Sequence, residues 1–169
     1  MTAGLSSCVN LKSINDFSSS SSKGIKNFED INYSFKQHCI DRCQFEAIHK
    51  FEIKRDTECN CYDYKKADSI TLVIYNSIKG YFDGLANLSN NDLTDYNFDA
   101  LNKSLTEGEF GDIKIEKTQV DAYSTISKIL LKATTDIYSK NKIKKYVDEA
   151  NAPIQILLAK FQFILQINL

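Results

Sequence analysis

Scarcity narrows this chain first. One proline and six glycines in 169 residues are too few turn-formers for an all-β domain. Only two histidines occur, His38 and His49, and neither belongs to a His-Glu-x-x-His motif, which excludes a zinc protease of that kind. A Gly-x-Ser-x-Gly elbow and a glycine-rich phosphate loop are both missing. Charge of one sign is also missing: 21 basic against 22 acidic side chains leave a net charge of -1, so no field steers nucleic acid or anionic lipid to the chain. No run is apolar for long enough to span a bilayer. The nearest candidate, Ile154 to Leu169, is short and is interrupted by Gln155, Lys160, Gln162, Gln166 and Asn168.

What remains is material for a helical domain. Hydrophobic residues make up 43% of the chain, enough for a real core in one domain with an N-terminal arm. Phe28, Ile31, Phe35 and Cys39 follow a three-four rhythm, which predicts a helix over about 26–49. Ile70, Ile74, Ile78, Tyr81, Leu85 and Leu88 repeat the rhythm more clearly, and Val73 and Phe82 widen the stripe into a core-facing one. Asp68 is placed to cap an early turn of this helix. Gly80 and Gly84 lie inside it and weaken it.

A short helix is expected over 97–105 and an extended piece at Ile113 and Ile115. A third long helix opens at Thr118, with Val120, Tyr123, Ile126, Leu130, Ala133 and Ile137 inward. A fourth carries Ile143, Val147, Ala150, Ile154, Leu157, Phe161 and Leu165, and Pro153 is expected to kink or split it near Asn151. The segment from Ala152 to Leu169 is apolar on more than one side, which predicts the central packing helix, or else a face that awaits a missing partner helix. The fold class read from these patterns is all-α: an antiparallel bundle of about four long helices, stapled at its first hairpin.

The first residues carry a different signal. Leu5-Ser6-Ser7-Cys8 sets an aliphatic and two small residues before a cysteine, where a signal peptide would end. This resembles the lipobox of bacterial lipoproteins, with Met1 to Gly4 as the tail of a cropped leader. The resemblance covers those eight residues and the Ser18–Ser22 run that follows. It implies lipidation at Cys8, a leader remnant and serine-rich tether over 1–23, and a helical domain over 24–169. It further implies a Gram-negative cell envelope, with the domain lipid-anchored in the inner or outer membrane and facing the periplasm.

Four cysteines remain. Cys39 and Cys43 stand four apart on one helix face, and Cys59 and Cys61 stand two apart on the returning segment. An antiparallel return matches Cys39 with Cys61 and Cys43 with Cys59, a nested pair of disulfides that export to an oxidising compartment would preserve. The alternative is a metal site with His38 and His49 nearby. Against it, the cysteine gaps are three residues and one, not the two of zinc ribbons.

The remaining polar groups read as surface. Asp63/Asp68 and Asp92/Asp95 are helix caps or solvated pairs, and Lys140, Lys142, Lys144 and Lys145 form a solvated helix start. With no cofactor or metal motif, the expectation is a non-catalytic, lipid-anchored envelope protein that works by binding a protein partner and does not bind nucleic acid. An immunity or inhibitor lipoprotein is a variant of that reading. An enzyme with an unrecognised site is the competing class, and it requires a polar cleft holding a perturbed titratable group.

Overall fold

The computed structural model describes residues 10–51, 59–90, 104–135 and 140–167. They form an all-α bundle: α1 (Leu11–Ile31), α2 (Phe35–His49), α3 (Tyr62–Asn90), α4 (Lys117–Thr135) and α5 (Lys140–Gln166), with one short hairpin, β1 (Gly108–Phe110) and β2 (Ile113–Ile115). The expected short helix over 97–105 lies largely outside the described residues, and Leu105 is a buried coil residue.

The serine run is not a tether. Ser18 to Ser22 lie within α1, and Ser18 is fully buried. Composition misled because the apolar repeat of this helix is interrupted by serine. Leu11, Ile14, Ile25 and Phe28 pack on the core, and Ser18 and Ser22 fill the stripe between them. Small side chains let α1 lie close against α3. Asn10 caps the start, its side chain accepting the Ser13 N–H at 3.3 Å. Asn15 donates to the Ala86 carbonyl at 2.8 Å, and the Ser22 hydroxyl donates to Asp83. Residues 11–23 thus belong to the folded body, which does not begin at Gly24.

The single helix expected over 26–49 is two. Asn32 takes a left-handed conformation at φ 47° and ends α1, as asparagine does readily. Ser34 then caps α2, its hydroxyl accepting the Gln37 N–H at 3.2 Å. Asp68 also acts here. From α3 it caps α2, not its own helix, because the α1–α2 turn lies against that part of α3.

The centre of the bundle is α3, which packs against α1, α2, α4 and α5. Its expected stripe is buried at Ile70, Ile74, Ile78, Tyr81 and Leu85, and burial extends around the helix to Ala67, Thr71, Tyr75 and Ser77. The 152–169 segment is therefore not the central helix. Part of α5, it is amphipathic: Ile154, Leu157, Phe161 and Ile164 are buried, Leu165 is half-buried, and Gln155, Gln162 and Phe163 are exposed. The helix runs unbroken through Pro153.

The hairpin pairs antiparallel, Gly108 with Ile115 and Phe110 with Ile113, and buries both isoleucines. Its turn needs Gly111. The residue sits at φ +58°, and a Cβ there would lie 2.8 Å from the Tyr64 ring.

Candidate functional site

Helix α2 is an arm fastened by sulfur. Cys39 and Cys43 project from one face, one turn apart, and the segment entering α3 returns Cys59 and Cys61 to meet them. Cys39 bonds Cys61 across a Cα separation of 5.9 Å, and Cys43 bonds Cys59 across 6.1 Å. Among α2's fifteen residues Phe35 alone is buried.

The arm's other side is open and carries large apolar side chains among polar ones. Phe45, Ile48 and Phe51 follow at three-residue spacing and are 67%, 63% and 90% exposed. Phe51 lies just beyond α2 in the left-handed region at φ 54°, an uncommon conformation for a bulky residue. The His49 ring lies 6.1 Å from that of Phe45.

Where α1 gives way to α2, the fold leaves a cavity of about 380 Å³ against α3 and the end of α5. Its walls are apolar: Phe28, Tyr33, Phe35, Leu72, Tyr75 and Leu165. Phe28 meets Tyr75 at 5.1 Å and Phe161 at 5.0 Å between ring centres, which stiffens the floor. Tyr33 meets Phe35 edge-on at 5.2 Å.

Two carboxylates edge this cavity. Glu29 accepts the Tyr75 hydroxyl proton. Asp68 accepts three donors at the start of α2: the Ser34 hydroxyl at 2.9 Å and the Phe35 and Lys36 amides at 2.6 and 3.3 Å. The phenols between them are hard to ionise. Burial pushes up the pKa of Tyr75, helped by its hydrogen bond to Glu29 and that carboxylate's charge. Burial raises Tyr33 likewise, with Asp68 and Asp112 adding to the effect.

Among the described residues, the other candidates from the sequence do not line this cavity, though the His38 ring lies 6.2 Å from that of Tyr33. Cys8, Asp92 and Asp95 lie outside the described residues. His38 and His49 are exposed at opposite ends of α2. Asp63 pairs with Lys66 at 3.4 Å in solvent, and Lys145 with Glu149 at 3.6 Å. Among the described residues no group of three or more His, Cys, Asp or Glu is placed to hold a metal ion, and no helix is long and apolar enough to cross a membrane.

Sequence reasoning missed the cavity because its walls come from three distant segments, around 28–35, 68–75 and 164–165. The available signal was Asn32-Tyr33-Ser34, a helix-ending asparagine followed by a capping serine inside an otherwise helical rhythm. Searches against protein families, curated proteins and solved structures return no match to this chain.

Proposed function

We propose that this chain is a lipid-anchored cell-envelope protein that acts by binding a protein partner through the open face of α2. The observation that carries the binding role is the exposed triplet Phe45, Ile48 and Phe51 on an arm held by two disulfides. Exposed apolar clusters on a rigid support are typical of interaction sites, and aromatic side chains supply most hot-spot energy. Phe51 sharpens the point. Its left-handed backbone costs of order 1 kcal/mol for a non-glycine residue, and the fold gains little burial in return.

Two disulfides suit an oxidising compartment, and the lipobox-like Leu5-Ser6-Ser7-Cys8 supplies a route to one. Two residues, Val9 and Asn10, separate Cys8 from α1. An acyl anchor at Cys8 would hold the start of α1 close to the bilayer. The 21 residues of α1 rise roughly 30 Å. They run antiparallel to α3 and lead into the arm, so on this reading the arm would lie at the far end of α1 from the anchor.

The test has two parts. With an export leader fused ahead of Met1, fatty-acid label is expected on the chain and absent from Cys8→Ala; label persisting in that variant refutes the anchor. In the same cells, a photo-crosslinking residue at position 48 is expected to yield a discrete adduct. That adduct is lost when Phe45 and Phe51 are both replaced by serine, while the melting temperature holds. An adduct indifferent to both substitutions refutes the binding face.

A further inference from the structure

We propose that the cavity between α1, α2, α3 and α5 is a binding site for a small organic amine, with the apolar body against the aromatic walls and the protonated nitrogen between Glu29 and Asp68. The site differs from the α2 outer face and stands whether or not Cys8 carries lipid.

Size and lining make it a ligand site. A volume of about 380 Å³ falls in the range of small-molecule pockets, roughly 300–1,000 Å³. Such pockets are mainly apolar with a few placed polar groups, which is the pattern here. Leu72 and Ile31 stand at the wall and are partly open to solvent, so a ligand has a way in.

Charge decides the ligand's class. Among the described residues Glu29 and Asp68 line the cavity, and no Lys, Arg or His does. A carboxylate or phosphate ligand would meet two like charges; a cation meets two opposite ones. The ring faces add to the preference, since aromatic quadrupoles attract ammonium groups within about 6 Å. Phe28, Tyr33 and Tyr75 supply them. Beyond burial, Asp68 helps to raise the Tyr33 pKa and Glu29 that of Tyr75, as the same negative field would. Tyr75 donates to Glu29 Oε1, and a carboxylate has further acceptor capacity for a ligand's N–H. Asp68 is already engaged by three donors, so its part is charge rather than a new hydrogen bond.

The experiment is a titration of the oxidised full chain, followed by backbone amide shifts, with three matched probes: phenethylamine, 2-phenylethanol and 3-phenylpropionate. Octylamine serves as a second amine shape. Saturable binding of at least one amine is expected, with shifts centred on Tyr33, Leu72 and Tyr75. The alcohol should bind roughly tenfold more weakly, which corresponds to about 1.4 kcal/mol, and the carboxylate more weakly still. Glu29→Gln keeps the acceptor for Tyr75 and removes the charge. It should weaken the amine roughly tenfold and leave the alcohol unchanged. Leu72→Trp should block every probe without unfolding the chain, because Leu72 is 46% exposed. Failure of both amines to saturate, equal affinity for all probes, a preference for the carboxylate, or amine binding indifferent to Leu72→Trp would each overturn the assignment.

Discussion

The carboxylate of Asp68, on α3, accepts the backbone N–H of Phe35, the first residue of α2, at 2.6 Å. One side chain thus ties the start of one helix to the body of another, 33 positions away, and satisfies amides that α2 cannot satisfy itself. An ionised group at a helix N-terminus also gains from the helix dipole. Asp68→Ala should cost about 1–3 kcal/mol. The loss should be local as well as global, with hydrogen exchange rising first at Phe35 and Lys36. Unchanged protection at those amides would show that the cap is dispensable.

Gly80 offers the opposite result. It lies within α3, and among the described residues a Cβ added there would meet Leu130 Cδ1 at an ordinary 3.7 Å. Gly80→Ala should therefore raise stability by about 0.5–1 kcal/mol, the difference in helix propensity. Urea melts of the two proteins decide it. A loss of stability would mean that α3 and α4 pack more tightly at this point than 3.7 Å allows.

Legibility followed periodicity. The α3 stripe from Ile70 to Leu85 is strictly spaced and lies buried as spaced, and the alternation of Ile113 and Ile115 reads through to a hairpin strand. Reading failed where polar residues take core positions. Ser18 is fully buried in α1, yet serine argues for tether by composition. It failed again at Asn32, where one left-handed residue ends a helix inside an unbroken apolar rhythm. The centre of the bundle was misplaced for a related reason. Residues 152–169 are more continuously apolar, but α3 buries Thr71, Ser77 and Ser89 as well as its isoleucines, because helices surround it. The cavity was illegible, since nothing in a one-dimensional pattern brings Glu29, Asp68 and Leu165 together.

Helix α2 should depend on its disulfides more than the bundle does. Phe35 is its one buried residue, so little apolar burial holds the arm in place. The bridges close loops of 22 and 16 residues, nested one inside the other. Removing both should cost about 3–5 kcal/mol, and removing either alone much less, since the remaining bridge still closes most of the same loop. Circular dichroism of the chain with the four bridging cysteines replaced by serine should show loss of roughly one short helix while cooperative melting persists. A reduced chain with undiminished helicity would place the support of α2 elsewhere.

Alkaline unfolding should report buried phenols. Burial pushes the Tyr81 hydroxyl up to about 12 in the folded chain, and Tyr75 is raised too. In the unfolded chain a tyrosine titrates near 10. The fold thus favours the neutral phenol. Its contribution to stability is complete below pH 10 and falls away as pH climbs from about 10 to about 12. Tyr81→Phe removes the titrating group and should shift the alkaline unfolding midpoint upward. Tyrosinate absorbance and circular dichroism, followed together, should change in the same pH interval. Superimposable alkaline profiles for the two chains would exclude Tyr81 as a driver.

Neighbouring phenylalanines on α5 should behave differently. Phe161 is buried, with its ring 5.0 Å from Phe28 and 6.1 Å from Tyr75. Phe163, two residues on, is exposed, with the Lys160 ammonium 4.6 Å from its ring centre. Truncating Phe161 to alanine empties a packed site and should cost about 3–5 kcal/mol, a large share of the ~5–15 kcal/mol available to a domain of this kind. Truncating Phe163 removes surface apolar contact and one exposed cation–π pair, and should cost under about 1 kcal/mol. Thermal melts compare the two directly, with light scattering to detect association. Equal shifts would mean that the face of α5 carrying Phe163 is covered in solution; a negligible shift for Phe161→Ala would remove that residue from the core. Because Phe161 also braces Phe28 and Tyr75, its loss should loosen the cavity floor, and amine affinity should fall with stability, whereas Phe163→Ala leaves that affinity intact.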